Sequence, residues 1–444
     1  MIGRKTQKTE IKMSKNRKGL SPIRVIALGF LITILIGSFI LMLPFCVRDG
    51  VELKYIDSLY TSTSAVCITG LSTVDVADTH TFFGQLVIAL LVQIGGLGVS
   101  SMGAAIILLL GKKMDLKERN LIKASMNLDT GRGIAVFVKN VFVTTVIIEL
   151  AGALLSFFVF IKDFPFLKAV WVSIFHSVVS FNNAGFDLFG SFRGYMPYVD
   201  NVPLSLITSA LIFLGGIGFL VIREVLEKRF RWKKLSMHSR VVISMSVALT
   251  VIGTVLLLLT EDITLNGAFF LSVSTRTAGF ANYRVQDFSN AGAMVVIILM
   301  FIGASPGSTG GGIKTSTLFI LLQNIKAAAT GKSEKAFHYS IPRDSFKKAS
   351  VVFLLGLTVV LSSTYVISII EPSFSFRDLL FEMTSAYATT GLGIDVSQFL
   401  SVGGKLITII VMYIGRLGPL SIASLWYFTQ REGYRYPEGN ITIG

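Results

Sequence analysis

The sequence of 444 residues is poor in charge, cysteine and histidine. Only 15% of its residues are charged, against roughly a quarter in soluble domains. Two cysteines, Cys46 and Cys67, exclude a disulfide scaffold. The four histidines, at 80, 176, 238 and 338, form no HExxH or other close metal-ligand pair. Without such a pair, a metal-dependent hydrolase has nothing to work with. Disorder is excluded by 34 Phe and long aliphatic runs. What is there is grease and positive charge: 52% hydrophobic residues, and 41 Lys plus Arg against 26 Asp plus Glu, a net charge of +15. A nucleic-acid binder explains the charge but not the grease. A membrane protein with basic cytoplasmic loops explains both.

A bilayer core takes about 20 apolar residues per helix. Runs free of charge cover 25–45, 79–111, 202–222, 241–260 and 349–370. Three more carry only isolated charges: 134–161 with Lys139 and Glu149, 288–325 with Lys314, and 406–430 with Arg416. That makes eight spans, the first too long for a cleaved signal peptide. Four shorter apolar segments (57–69, 168–184, 264–278 and 376–390) each lie between an odd span and the next even one, and suit re-entrant helices. Lys and Arg cluster in 1–24, 112–132, 223–240 and 326–348, all on one side. Positive-inside then places both termini in the cytoplasm and the short segments outside.

The four short segments read YTSTSAVCITGL, FHSVVSFNNAGF, FFLSVSTRTAGF and FEMTSAYATTGL. Each ends on a glycine: Gly70, Gly185, Gly279 and Gly391. An aromatic stands ten residues earlier, at Tyr60, Phe175, Phe269 and Phe381, and a second glycine (Gly95, Gly215, Gly303, Gly415) follows 24 to 30 residues later. The expected fold is therefore all-α and polytopic. Four span–pore-loop–span repeats, eight transmembrane helices plus four half-helices, surround a central pseudo-fourfold pore. The units are 25–132, 133–238, 239–346 and 347–430, between a basic tail at 1–24 and a tail at 431–444. Half-helix C-termini aimed at the axis, with glycine loops offering carbonyls, make an oxygen ring for a dehydrated monovalent cation. The candidate filter residues are Ile68, Thr69 and Gly70; Asn183, Ala184 and Gly185; Thr277, Ala278 and Gly279; and Thr389, Thr390 and Gly391. No carboxylate sits in these loops, though Asp75, Asp187 and Asp395 follow closely and either concentrate cations at an outer mouth or are ordinary loop acids.

One span is interrupted at its centre by GASPGSTGGG, a composition no helix tolerates. Ala291 to Phe301 supplies about 16 Å of helix before it, which places the break near mid-membrane. The candidate gate is Gly303, Ala304, Ser305, Pro306, Gly307, Ser308, Thr309, Gly310, Gly311 and Gly312, with Lys314 directly after. A structural kink is the plainer reading. Arg416 stands at the matching landmark of the fourth unit, where a guanidinium is costly unless it faces water or a partner. It is read as a barrier to cations and a donor to the loop's carbonyls, the alternative being a pair with Glu149.

The order and number of these motifs resemble the Trk/Ktr/HKT superfamily of potassium transporters. The GASPGSTGGGIKT break and the absence of extra N-terminal spans resemble KtrB-type membrane subunits of bacterial Ktr uptake systems. The resemblance implies K⁺ as the transported ion, with Gly70 at the first filter position favouring it over Na⁺. It implies activation by Na⁺, a homodimer with one pore per chain, and a KtrA-like cytosolic ring of nucleotide-binding subunits. No cofactor belongs to this chain, and a nucleotide acts only through that separate subunit. The implied location is the bacterial cytoplasmic membrane with its lipid, and nucleic acid is no partner. The second loop departs from the threonine pattern with Asn182, Asn183 and Ala184. The competing reading is an ion-coupled secondary transporter of another cation or small solute, which typically carries broken helices at the midplane.

Overall fold

The computed structural model describes residues 21–109, 115–125, 133–418 and 421. Most of the basic N-terminal tail, part of the 112–132 segment and the tail at 431–444 lie outside the described residues. Among the described residues, four helices are long and apolar enough to cross a bilayer: Pro22–Leu41, Ile134–Phe160, Met237–Thr260 and Asp344–Ile370. Their outward faces expose Ile36, Phe39, Leu150, Phe158, Leu259 and Ile369, an apolar surface suited to lipid.

Each long helix is followed by a short one: Tyr55–Cys67, Phe166–Asn182, Leu265–Ser274 and Phe376–Ala388. These are buried despite their hydroxyls. Thr61, Ser62, Thr63 and Ser64 are all fully buried, so each hydroxyl needs a partner. The partners recur. Ser62 Oγ donates to the Ile34 carbonyl (2.7 Å), Ser177 Oγ to that of Glu149 (2.6 Å) and Ser272 Oγ to that of Thr250 (2.8 Å). In each case a glycine three residues on in the long helix (Gly37, Gly152, Gly253) leaves room for both the serine and a leucine of the following helix (Leu91, Leu211, Leu299). One contact triad thus appears three times.

The next helices are Phe82–Leu97, Val202–Ile217, Asn290–Phe301 and Val402–Leu417. Thr81, Asn201, Ser289 and Ser401 cap them through their side chains. Glu261 and Glu371, at the ends of two long helices, accept from the backbone N–H of Ser289 and Ser401, placing negative charge where the helix dipole favours it.

Breaks are more numerous than the single one expected from the sequence. Besides the anticipated break at 303–312, the helices end at Gly98, Gly218 and Gly418, with φ of +81°, +92° and +84°. Helices resume at Val99–Leu109, Phe219–Glu227 and Thr315–Thr330. The second of these turns by 98° from Val202–Ile217. A lone glycine in a run of apolar residues reads as an ordinary packing glycine, but a positive φ at that point ends the α-helix.

The second-landmark glycines have a common reason. A Cβ on Gly95, Gly215 or Gly415 would collide with the carbonyl of Val66, Phe181 or Tyr387, each four residues before a loop glycine. These glycines let the second helix lie directly on the last turn of the short one. Gly303 instead meets the backbone of Gly311 and Gly312 in its own loop.

Gly215→Ala is expected to lower stability by about 1–3 kcal/mol, because backbone must move to admit the methyl. Gly103→Ala, in a helix with nothing within 4 Å of its Cβ position, is expected to be neutral or stabilising by up to ~1 kcal/mol. Thermal unfolding of both variants in detergent checks the contrast, and equal transitions would contradict it.

Candidate functional site

The four short helices end pointing at one another, and their glycine loops form a closed ring. A Cβ on Gly70 would stand 2.6 Å from the Ala184 carbonyl oxygen, and one on Gly185 would stand 2.6 Å from that of Ala278. One on Gly279 would strike the Thr390 oxygen, and one on Gly391 the Thr69 oxygen. Each loop therefore abuts the next in chain order, and the fourth closes on the first. The glycine φ values are +95°, +66°, +72° and +87°. Conformation and crowding both require glycine here.

The loops' N–H groups are tied back to the helices. In the first, second and fourth, the residue two before the glycine (Ile68, Asn183, Thr389) is left-handed. The N–H of the residue after it then reaches five residues back, to Ser64, Val179 and Ser385, the hydrogen bond of a Schellman cap. Gly70 N–H also donates to Ser64 Oγ (2.9 Å) and Gly391 N–H to Ser385 Oγ (3.1 Å). With the donors turned away, the carbonyls are left over. Among the described residues no donor reaches those of the twelve predicted filter residues. The buried hydroxyls of Thr69, Thr389 and Thr390 also lack partners there.

The irregular loop is the third, not the asparagine-bearing second. Asn183 accepts the left-handed conformation that Asn tolerates, and its side chain bonds the Thr277 hydroxyl across to the third loop (3.0 Å). In the third loop Ser274, five residues before the glycine rather than six, receives both Ala278 N–H and Gly279 N–H on its carbonyl. That loop is one residue shorter, and the left-handed residue is the one missing. The same offset corrects the aromatic landmark: Phe270, fully buried, takes the place of Tyr60, Phe175 and Phe381, while Phe269 is only partly buried.

Beneath the ring lies the broken segment. Gly310 packs against Thr277, and Gly311 against Thr389 and the Ala388 carbonyl. Ser305 and Thr309 donate backbone N–H groups to the Gly216 (3.0 Å) and Gly215 (3.2 Å) carbonyls, and Phe219 N–H donates to Gly307 (3.0 Å). The break at Gly218 is thus the seat of this loop, as a Cβ there would meet the Pro306 oxygen. Ser305 Oγ meets Thr315 Oγ1 at 2.8 Å, and Ser308 Oγ bonds back to Ser305. Lys314 Nζ donates to the carbonyls of Gly310 (2.7 Å) and Gly311 (3.3 Å). Arg416 donates to Thr309 (2.5 Å) and to Gly95 of the first unit. Gly303, Ala304 and Gly312 close the loop's neck, with Ala304 N–H on Gly311 (3.2 Å). The segment therefore meets the second and fourth units as well as its own, and Arg416 links it to the first.

Glu149 is not paired with Arg416. It accepts from Asn182 Nδ2 (3.0 Å) and Gln93 Nε2 (3.3 Å), a trio that braces the second short helix. Sequence reasoning missed this trio, the serine anchors Ser64 and Ser385, and Arg276. Arg276 is buried beside Gly216, Ser246 and Ala304. Only its position directly before a threonine at the ring distinguishes it in sequence. His176 is a packed residue bonded to Tyr195 and Thr208.

Above the ring is a cavity of about 130 Å³ lined by all four glycines and by Asp75, Asp187 and Asp395. Asp75 and Asp78 also hold the 190–192 turn, accepting from Phe192 (2.7 Å) and Ser191 (2.8 Å) N–H. Lys405 and Asp57 form a largely buried ion pair (2.7 Å) that joins the fourth unit to the first.

The comparisons with known proteins bear on this arrangement. The sequence profile of a family described as cation transport protein (TrkH) matches residues 25–266 and 230–429. The chain belongs to the Trk/Ktr family of cation transport proteins. It is a transporter subunit, not an enzyme. It is 38% identical to the potassium/sodium uptake protein NtpJ of Enterococcus hirae, over 98% of this chain and 100% of the relative. It is 34% identical to the Ktr system potassium uptake protein B of Bacillus subtilis, over 96% and 97%. The crystal structure of the potassium transporter TrkH from Vibrio parahaemolyticus has the same fold, with a TM-score of 0.71 at 19% identity over 93% of this chain and 86% of that one. The Trk/Ktr family and the four apolar helices make this a multi-pass membrane protein.

Burial, with Asp75 and Asp78 nearby, raises the half-buried Asp187 from 3.8 to about 7, against the lowering effects of Phe189 N–H and Arg193. A carboxyl raised on folding takes up a proton between those values, so its contribution to stability is greatest at low pH and falls as pH rises through about 7. Asp187→Asn is expected to flatten the dependence of unfolding temperature on pH between about 4 and 7. An unchanged slope would show that the carboxyl is solvated.

Proposed function

We propose that the chain is a potassium-uptake subunit whose ion path runs through the glycine ring. The carrying observation is the closed ring itself: four loops in chain order, donors tied back and carbonyls left unclaimed. A ring of backbone oxygens replaces the hydration shell of a monovalent cation. The relatives named as potassium uptake proteins support K⁺ as that cation. Inward movement gains about 2.3 kcal/mol per 100 mV of inside-negative potential, so no ATP-hydrolysing site is required.

The acids of the outer cavity raise local cation concentration. The loop at 303–312 is the gate, held shut by Arg416 and Lys314, whose charges also oppose a cation beneath the ring. Both termini are cytoplasmic, in a bacterial cell membrane. The chain acts as a homodimer with a cytosolic nucleotide-binding partner, a reading supported by the multi-component Ktr systems named among its relatives, and Na⁺ activates it. The glycine breaks in the other units bring the secondary-transporter reading closer than the sequence does. The ring still favours a continuous path, because it joins all four units at one point.

Purified protein in liposomes is expected to carry K⁺ or Rb⁺ down its gradient, and absence of flux with and without a cytosolic partner would refute the proposal. Gly70→Ser should weaken discrimination against Na⁺. Replacing Arg416 with Ala, or deleting Ser305 to Gly311, should raise flux at least about tenfold, since charge-assisted hydrogen bonds are worth ~1.5–3 kcal/mol each. Unaltered flux in folded protein would remove the gate.

A further inference from the structure

The helix Phe219–Glu227 turns by 98° from the span before it, so it leaves the line of that span. Phe230 and Trp232, both exposed just beyond it, are side chains typical of a membrane–water interface. Between this helix and the span Ile134–Phe160 is a cleft of about 340 Å³. Its polar lining is Lys139, Asn140, Thr144, Arg223 and Glu227.

Lys139 lies about 8 Å along its helix from the first residue. It is exposed and has no hydrogen-bond or ion-pair partner among the described residues. So near the helix end, its ammonium can snorkel to the interface and meet an anion there. Among the described residues Arg223 uses only its Nε, on Glu227 (2.6 Å), and a guanidinium has further donors to give. The cleft therefore carries two cations and one paired acid, a surplus of one positive charge. Its outer edge is apolar, with Val143 45% and Leu226 54% exposed.

We propose that this cleft binds one phospholipid with an anionic headgroup. The phosphate sits between Lys139 and Arg223, with Asn140 and Thr144 in reach of its oxygens. The acyl chains run down past Val143. A single negative charge matches the surplus, and the apolar edge selects lipid over free phosphate. The bound lipid fixes the bent helix at whose start the loop 303–312 is seated.

The test is native mass spectrometry of the full chain titrated with phosphatidylglycerol or phosphatidylcholine. Wild type is expected to retain phosphatidylglycerol preferentially. K139Q and R223Q should each weaken that binding about fivefold, and the charge-conserving K139R/R223K should keep it. K332Q/K335Q, which removes surface charge elsewhere, should have no effect. If K139Q/R223Q fails to fold, K139Q alone carries the test. Unchanged affinity in K139Q, equal retention of phosphatidylcholine, or equal loss in K332Q/K335Q would overturn the proposal. So would binding of glycerol phosphate as tightly as the lipid, or cross-linking of L226C to a second copy, which would show protein covering the cleft.

Discussion

Everything in this structure depends on holding backbone carbonyls where nothing in the protein can satisfy them. Buried carbonyls normally find donors, and a ring of unclaimed ones is stable only if the rest of the chain denies them donors. The helix caps do this by turning the N–H groups of the loops backward, onto Ser64, Val179, Ser274 and Ser385. The glycines do it by letting four backbones meet without side chains. The short helices must then be fixed from behind, and the serine–carbonyl–glycine triads of the first three units hold them. The second helices of the first, second and fourth units press on their last turns through Gly95, Gly215 and Gly415. A membrane protein gains little from apolar burial between spans, because lipid is equally apolar, so close packing and hydrogen bonds carry the assembly.

The same logic explains the loop below the ring. A non-helical segment at this depth has carbonyls of its own to satisfy. Lys314 and Arg416 supply the donors, and the Gly215–Gly216 pair accepts its N–H groups. On the proposed ion path, the cations that satisfy the loop also oppose a cation beneath the ring. Moving the loop means breaking those bonds, which is what the proposed gate would have to do.

Much of this was legible in the sequence because it is written in residues that admit no substitute. A glycine that must abut a carbonyl stays a glycine, so four of them at similar spacing could be read directly. Arg416 stood out as a lone charge in an apolar run. Less was legible where the signal has ordinary lookalikes. Gly98, Gly218 and Gly418 resemble any packing glycine, and only their positive φ reveals the breaks. The one-residue deletion in the third loop was masked by the tandem Phe269 and Phe270, either of which fits the aromatic landmark. Asn182 and Asn183 looked like a departure from a threonine pattern. In the structure one braces Glu149 and the other caps the helix.

The central claim is that the ring of loops is the ion site. The most direct test is anomalous scattering from crystals of the protein grown in Rb⁺. The account predicts a peak on the axis enclosed by the carbonyls of Thr69, Ala184, Ala278 and Thr390. A peak confined to Asp75, Asp187 and Asp395, with none within the ring, would contradict it.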